Sequence, residues 1–167
     1  MINEINKLSQ SEFIKVFANI FEKANWIAEE LCKHRPFNSF EELSSKMMDI
    51  FEMSSKEKKL KILNAHPDLA NKTKINLLTP DSLKEQASAG LDKCTEKEFN
   101  EFKKLNFSYK KFGFPFILAI KGKTKAEILN NFKKRINSDP ETEFKEAIKQ
   151  VKKIASLRLE SLDNKDI

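Results

Sequence analysis

Few residues in this 167-residue chain have both the type and the placement to do chemistry. His66 is the first, in the run Asn64-Ala-His-Pro-Asp-Leu-Ala70. Pro67 disfavours helical geometry at the residue before it. A helix arriving at His66 must therefore stop there, which holds the imidazole at a helix end in extended chain. A ring so held can face a cavity and exchange protons near neutral pH. It can equally be a C-terminal histidine that offsets a helix dipole, and spacing alone favours that second reading. In Thr79-Pro-Asp-Ser-Leu-Lys-Glu-Gln-Ala-Ser-Ala-Gly90, the residues Ser82, Glu85 and Gln86 stand at i, i+3 and i+4 and share one helix face. Ser82 falls in the first turn, where backbone donors favour an anion. Hydroxyl, carboxylate and amide together make a hydrogen-bonding surface for a polar ring, and Ala87, Ala89 and Gly90 are small enough for close approach. The alternative is an ordinary exposed amphipathic helix, which spacing again favours. Arg158 falls within an apolar stripe of Phe144, Ile148, Val151, Ala155 and Leu162. A buried guanidinium needs an acceptor. An internal carboxylate such as Glu85 or a ligand anion would supply one; otherwise the side chain snorkels outward. His34-Arg35-Pro36-Phe37 reads as a structural turn.

Other chemistries are excluded or left without support. Cys32 and Cys94 stand alone, and with two histidines in the chain no metal-ligand set or disulfide framework follows. Lys+Arg 31 against Asp+Glu 25 gives a net charge of +6. The lysines are scattered among glutamates, as in Lys56-Glu-Lys-Lys59, so the pattern is a solvated surface and not a nucleic-acid stripe. That charge still steers small anions towards the protein. The longest apolar run, Phe114 to Ile120, is seven residues and cannot span a bilayer. Met1-Ile-Asn-Glu-Ile5 lacks the basic start of a secretory leader. A soluble cytoplasmic protein is expected, with neither nucleic acid nor membrane as partner.

The elements that must position these residues are helices. Ser or Thr stands three residues before Glu at Ser9, Ser39, Ser54, Thr95 and Thr124, each time ahead of apolar residues at helical spacing. Pro80 and Pro140 look like first helical residues behind Thr79 and Asp139. Helices are predicted over residues 10–22, 25–33, 40–53, 55–65, 80–90, 96–112, 125–137 and 140–163. Phe114–Ile120 has no partner strand elsewhere and is expected as buried extended or helical chain. The expectation is an all-α fold, one compact domain over 1–167 with about eight helices.

Five segments occur in a familiar order: Ala-His-Pro-Asp-Leu-Ala (65–70), Ser-Leu-Lys-Glu-Gln-Ala-Ser-Ala-Gly-Leu (82–91), Phe-Gly-Phe-Pro-Phe-Ile (112–117), Lys-Ala-Glu-Ile-Leu…Phe (125–132) and Arg-Leu-Glu-Ser-Leu (158–162). In these the chain resembles the OHCU decarboxylases, which act on 2-oxo-4-hydroxy-4-carboxy-5-ureidoimidazoline in uric acid degradation. The likeness runs from about Phe13 to Leu162. It implies a cofactor-free, metal-free, all-α decarboxylase that is a homodimer and yields (S)-allantoin and CO2 from a small anionic ureidoimidazoline. It also implies catalytic roles for His66 and Glu85. Pro67, Ser82, Gln86, Arg158 and the backbone of Phe116, Ile117, Leu118, Ala119 and Ile120 would contact the substrate. Asn71 stands where the family often has glycine, and asparagine tolerates left-handed geometry. The alternative is a catalytically silent helical interaction module of the same fold.

Overall fold

The computed structural model describes residues 1–71 and 77–164. Among the described residues the chain is helical and contains no β-strand. The helices are α1 (Ile2–Lys7), α2 (Gln10–Phe17), α3 (Asn25–Cys32), α4 (Phe40–Glu52), α5 (Lys56–Ala65), α6 (Pro80–Ser88), α7 (Glu96–Tyr109), α8 (Lys125–Arg135) and α9 (Pro140–Asp163). Only α1 lacks a counterpart in the sequence reading, and its Met1 N-cap makes no side-chain bond to the helix.

The caps explain why the other starts are legible. Ser9, Thr95 and Thr124 each accept a bond from the backbone of the glutamate three residues on, and that glutamate's carboxylate accepts one from the cap's own backbone N–H. Ser39 accepts from Glu42, but the Glu42 carboxylate turns instead to the backbone and side-chain nitrogens of Asn38, at 2.8 and 2.9 Å. The cap expected at Ser54 is Ser55, whose hydroxyl accepts from Lys58 N at 3.2 Å. Ser54 belongs to the preceding helix end and donates to the Phe51 carbonyl at 2.6 Å. Asp139 caps α9 by accepting from Thr142 N at 2.9 Å and from its hydroxyl at 2.6 Å.

The chain divides into two compact units. One comprises Met1–Ile62 and the chain from Lys152 onward; the other is Leu63–Val151. The first unit buries Phe13, Phe17, Phe21, Ile27, Leu31, Leu43, Met47 and Phe51. Its rings meet in pairs, Phe13 with Phe17 at 4.6 Å and Phe21 with Phe51 at 4.7 Å. Here α2 stops at Phe17, short of the expected residue 22. The chain turns instead, and Asn19 and Glu22 meet the guanidinium of Arg158. The His34–Phe37 turn is structural, as expected. Arg35 donates to the carbonyls of Leu8 and Cys32, and Asn6 exchanges two hydrogen bonds with the Phe37 backbone.

In the second unit the core is aromatic. Phe116 stacks on Phe132 at 3.9 Å with 13° between planes, and Tyr109 meets both rings edge-on at 5.5 and 5.8 Å. Residues 115–120 form neither helix nor strand, yet Phe116 through Ile120 are all buried. This is the buried non-helical chain that the sequence admitted. Gly90 and Gly113, both at positive φ, take the left-handed turns at φ 76° and 81° that follow α6 and the end of α7.

These local bonds make stability testable. Thr124→Ala removes a cap acceptor and is expected to lower unfolding free energy by about 1 kcal/mol in chemical denaturation. Glu98 carries its carboxyl below the usual 4.5, first through Lys125 and then through the Thr95 backbone. A lowered folded-state value stabilises above the ordinary carboxyl range, and that contribution is lost as pH falls through the folded value. Denaturation midpoints of Glu98→Gln should therefore fall less steeply below pH 4.5 than those of the native chain.

Candidate functional site

His66 follows α5 directly. Its backbone N–H donates to Leu63 at 3.2 Å, and the side chain is buried at 9% exposure. Pro67 then takes the chain out of the helix. The reversal that follows uses a left-handed residue, and that residue is Ala70 at φ 54°. The sequence reading placed that tolerance at Asn71, one position later; Asn71 instead donates to the Asp68 carboxylate at 3.4 Å. An alanine there costs about 1 kcal/mol through its Cβ, so other contacts must hold the turn. Gln86 accepts from Ala70 N at 3.1 Å and donates to the Asp68 carbonyl at 3.3 Å. Asn106 of α7 donates to the Leu69 carbonyl at 3.0 Å. Three consecutive residues after His-Pro thus have a backbone group held by a side chain from another helix.

Gln86 belongs to α6, which Thr79 caps by accepting from Ser82 N at 3.3 Å, with Pro80 opening the helix. Ser82 and Gln86 are buried at 3% and 8% exposure, and Glu85 is half-buried. Leu83 and Lys84, on the other side, are exposed. The polar face of α6 therefore points inward, which overturns the reading of an exposed amphipathic helix. The structure ties this face to the His66 turn through Gln86. These two backbone bonds take one N–H and one lone pair of that amide.

The Phe116–Ile120 segment is held from α8 and α9. Arg135 donates Nη1 to the Ile117 carbonyl at 2.5 Å. Its Nε donates to Glu143 Oε1 at 2.8 Å, and Nη2 lies 2.5 Å from the same oxygen as an ion-pair contact. Tyr109 donates its hydroxyl to that oxygen as well. Burial pushes the Tyr109 phenol far up, so it stays a donor. Gln150 accepts from Ala119 N at 3.0 Å and is itself oriented by a 2.8 Å bond to Glu146. Asn106, Arg135, Glu143 and Gln150 were not singled out in the sequence. Glu143 carried a signal: it lies four and eight residues before Ala147 and Val151, on one line down α9.

Arg158 is buried at 7% exposure, as its place on the stripe predicts. Its Nη1 donates to the Asn19 carbonyl and to Glu22 Oε2, both at 2.9 Å, within the first unit. Glu22, at 1% exposure, supplies a carboxylate that the sequence reading sought in Glu85. The buried line of α9 runs through Ala147, Val151, Ile154, Ala155 and Leu159; Phe144, Ile148 and Leu162 are only half-buried. The first unit also holds an open cleft of about 760 Å³, lined by residues that include Trp26, Lys33, His34 and Asp49 and by none of the predicted site residues. Among the described residues no three His, Cys, Asp or Glu side chains gather as a metal-ligand set.

Comparison with known proteins gives a consistent result. A family model described as OHCU decarboxylase matches residues 6–160. The chain is 38% identical over 159 residues to a 2-oxo-4-hydroxy-4-carboxy-5-ureidoimidazoline decarboxylase of Haloferax volcanii, covering 95% of this chain and 93% of that one. It is 41% identical over 162 residues to a uric acid degradation bifunctional protein of Bacillus sp. (strain TB-90), covering 96% of this chain but only 32% of that longer protein. Among solved structures, OHCU decarboxylase in the presence of (S)-allantoin superposes with a TM-score of 0.73 at 27% identity, over 90% of this chain and 99% of that one. (S)-allantoin synthase gives 0.77 at 31%, over 97% of this chain and 54% of that one.

The tether between the turn and α6 makes a specific demand on Gln86. Gln86→Glu keeps the acceptor for Ala70 but faces the Asp68 carbonyl with a second acceptor. The expected loss is about 1–3 kcal/mol, with faster amide exchange at Ala70. An unchanged exchange rate there would mean that the bond does not hold the turn.

Proposed function

The chain belongs to the OHCU decarboxylase family, and we propose that it decarboxylates 2-oxo-4-hydroxy-4-carboxy-5-ureidoimidazoline to (S)-allantoin and CO2. The observation that carries this reading is the hydrogen-bonded pairing of the His66 turn with the inward polar face of α6. Gln86 ties the chain just after His66 to α6, and on that support we read the imidazole, hydroxyl, carboxylate and amide of the two motifs as one site.

The substrate accounts for the modesty of this equipment. Its carboxylate and hydroxyl share one carbon, and the neighbouring ureido-bearing carbon is doubly bonded to ring nitrogen. When the C–CO2 bond breaks, its electron pair forms a C=C bond with that neighbour and pushes the C=N pair onto nitrogen, which takes a proton. The resulting enol then takes a proton on the ureido-bearing carbon and loses one from its hydroxyl. The substrate is its own electron sink, so no Schiff base or metal has to serve as one.

Four tasks remain for the protein. His66, read as the proton-transfer residue, delivers or removes protons on one face of the ring and so sets the configuration of the product. Glu85 is read as the second catalytic group: a carboxylate beside the bound anion disfavours the charged reactant more than neutral CO2. Ser82 and Gln86 are read as hydrogen-bonding ring and ureido groups, with Pro67 packed beside them. Backbone groups of Phe116 to Ile120 take the remaining polar atoms. On the family resemblance we also read the protein as a homodimer of the cytoplasm.

Freshly made substrate, from urate with urate oxidase and hydroxyisourate hydrolase, supplies the assay. The circular dichroism of (S)-allantoin should appear rapidly on adding this protein. His66→Gln should cut the rate about 10²–10⁴-fold while far-ultraviolet ellipticity is retained. A folded His66→Gln protein with near-native turnover would remove His66 from the mechanism. Dialysis against a chelator should leave the rate unchanged.

A further inference from the structure

The Phe116–Ile120 segment poses a problem that its hydrogen bonds solve. It is buried and lies outside any helix or strand, so its peptide groups need partners that regular structure does not supply. Two of those partners are side chains. Arg135 meets the Ile117 carbonyl and Gln150 meets the Ala119 N–H. In a trans peptide the N–H points opposite to the C=O. With the Ile117 carbonyl held by Arg135 and the Ala119 N–H held by Gln150, the N–H and C=O of Leu118, which complete those two peptides, each point away from the side chain that holds its partner group.

We propose that Arg135 is a positioning residue for substrate binding: by holding the Ile117 carbonyl it sets the rotation of this segment, so that the Leu118 peptide edge meets the ligand. This rests on the reading of the segment as ligand-lining backbone. Glu143 engages Nε and Nη2 of the guanidinium, which leaves Nη1 aimed at the carbonyl. The guanidinium carbon also lies 4.5 Å from the centre of the Phe116 ring, and that ring is stacked on Phe132. Arg135 therefore grips the chain at the Phe116 side chain and, one residue on, at the carbonyl of the Ile117–Leu118 peptide. Gln150 adds a second fixed point two residues on, and two points define the rotation. A buried ion pair adds little stability over a well-packed apolar pair. An apolar pair, however, cannot donate to a carbonyl, so geometry is what Arg135 contributes. Lysine can keep the charge beside Glu143 but lacks the planar fork that serves both acceptors.

The test uses the intact protein and three variants. The double variant Arg135→Met/Glu143→Leu removes the pair but fills its volume, and Arg135→Lys keeps the charge alone. Ile128→Ala, at another fully buried position on α8, is the control for lost stability. Well below the melting temperature, both Arg135 variants should raise KM for the decarboxylation on the order of tenfold to hundredfold. The pH profile of kcat should not move. Ile128→Ala should lower the melting temperature with KM unchanged. Equal KM effects in Arg135→Lys and Ile128→Ala at matched loss of melting temperature would overturn the proposal.

A binding readout on the native protein does not depend on any variant folding. Titration with (S)-allantoin, followed by amide chemical shifts, should move Leu118 more than Ile117 or Ala119. A native protein that turns substrate over with Leu118 unmoved would also overturn the proposal. Absence of turnover and of allantoin binding in the native protein would instead defeat the assigned reaction. The clamp would still be read by amide exchange at Ala119, slow in the native chain and accelerated in Arg135→Lys.

Discussion

The structure depends on one constraint: a peptide group that is buried outside a helix must find a partner. The helices satisfy their own backbone, so the burden falls where chain leaves a helix and stays inside. In the second unit this happens at the Pro67–Ala70 turn and at Phe116–Ile120. Gln86 and Asn106 serve the first, Arg135 and Gln150 the second. In the first unit Asn6 serves the buried Phe37 in the same way. Those two stretches of the second unit are also where the proposed chemistry needs backbone and imidazole in fixed positions. Irregular chain is what makes groups available to a ligand, and side-chain clamps are what make irregular chain rigid.

Helix starts were legible because capping is local chemistry. A hydroxyl, three residues and a carboxylate suffice, and Ser9, Thr95 and Thr124 show it. Helix ends were less legible because what ends them is often distant. Nothing between Phe17 and Glu22 forbids helix, yet α2 stops there, where Asn19 and Glu22 meet an arginine 136 residues from Glu22. The exchange of Ser54 for Ser55 has a similar cause: two adjacent serines both suit a cap, and the end of α4 claims the first.

The candidate site divides along the same line. Ser82, Glu85 and Gln86 could be found because a helix puts i, i+3 and i+4 on one face. His66 could be found because proline restricts the residue before it. The duty of Gln86 could not be found, since its partners are the backbone of Asp68 and Ala70, and a peptide group has no identity in sequence. Arg135 and Glu143 were missed for a related reason. Eight residues apart on two different helices, they look like two more charges in a chain that has many.

Composition nevertheless held a trace of them. Of 31 basic residues, Arg35, Arg135 and Arg158 alone are arginines. The lysines of the ion pairs are at least partly exposed, as in Lys33–Glu30, Lys133–Glu101 and Lys145–Glu141. Each arginine instead donates to at least one backbone carbonyl: Arg35 to Leu8 and Cys32, Arg135 to Ile117, and Arg158 to Asn19. Two of the three also lie over an aromatic ring, Arg35 on Phe13 and Arg135 on Phe116. An ammonium is a strongly hydrated point charge and is costly to bury, whereas a guanidinium is planar, weakly hydrated and able to serve several acceptors in fixed directions. Where lysine supplies nearly all the surface charge, an arginine marks a place where direction matters more than charge. By that reasoning the three arginines belong to one class before any of their partners is known, and each stands against a carbonyl at a helix end or in non-helical chain.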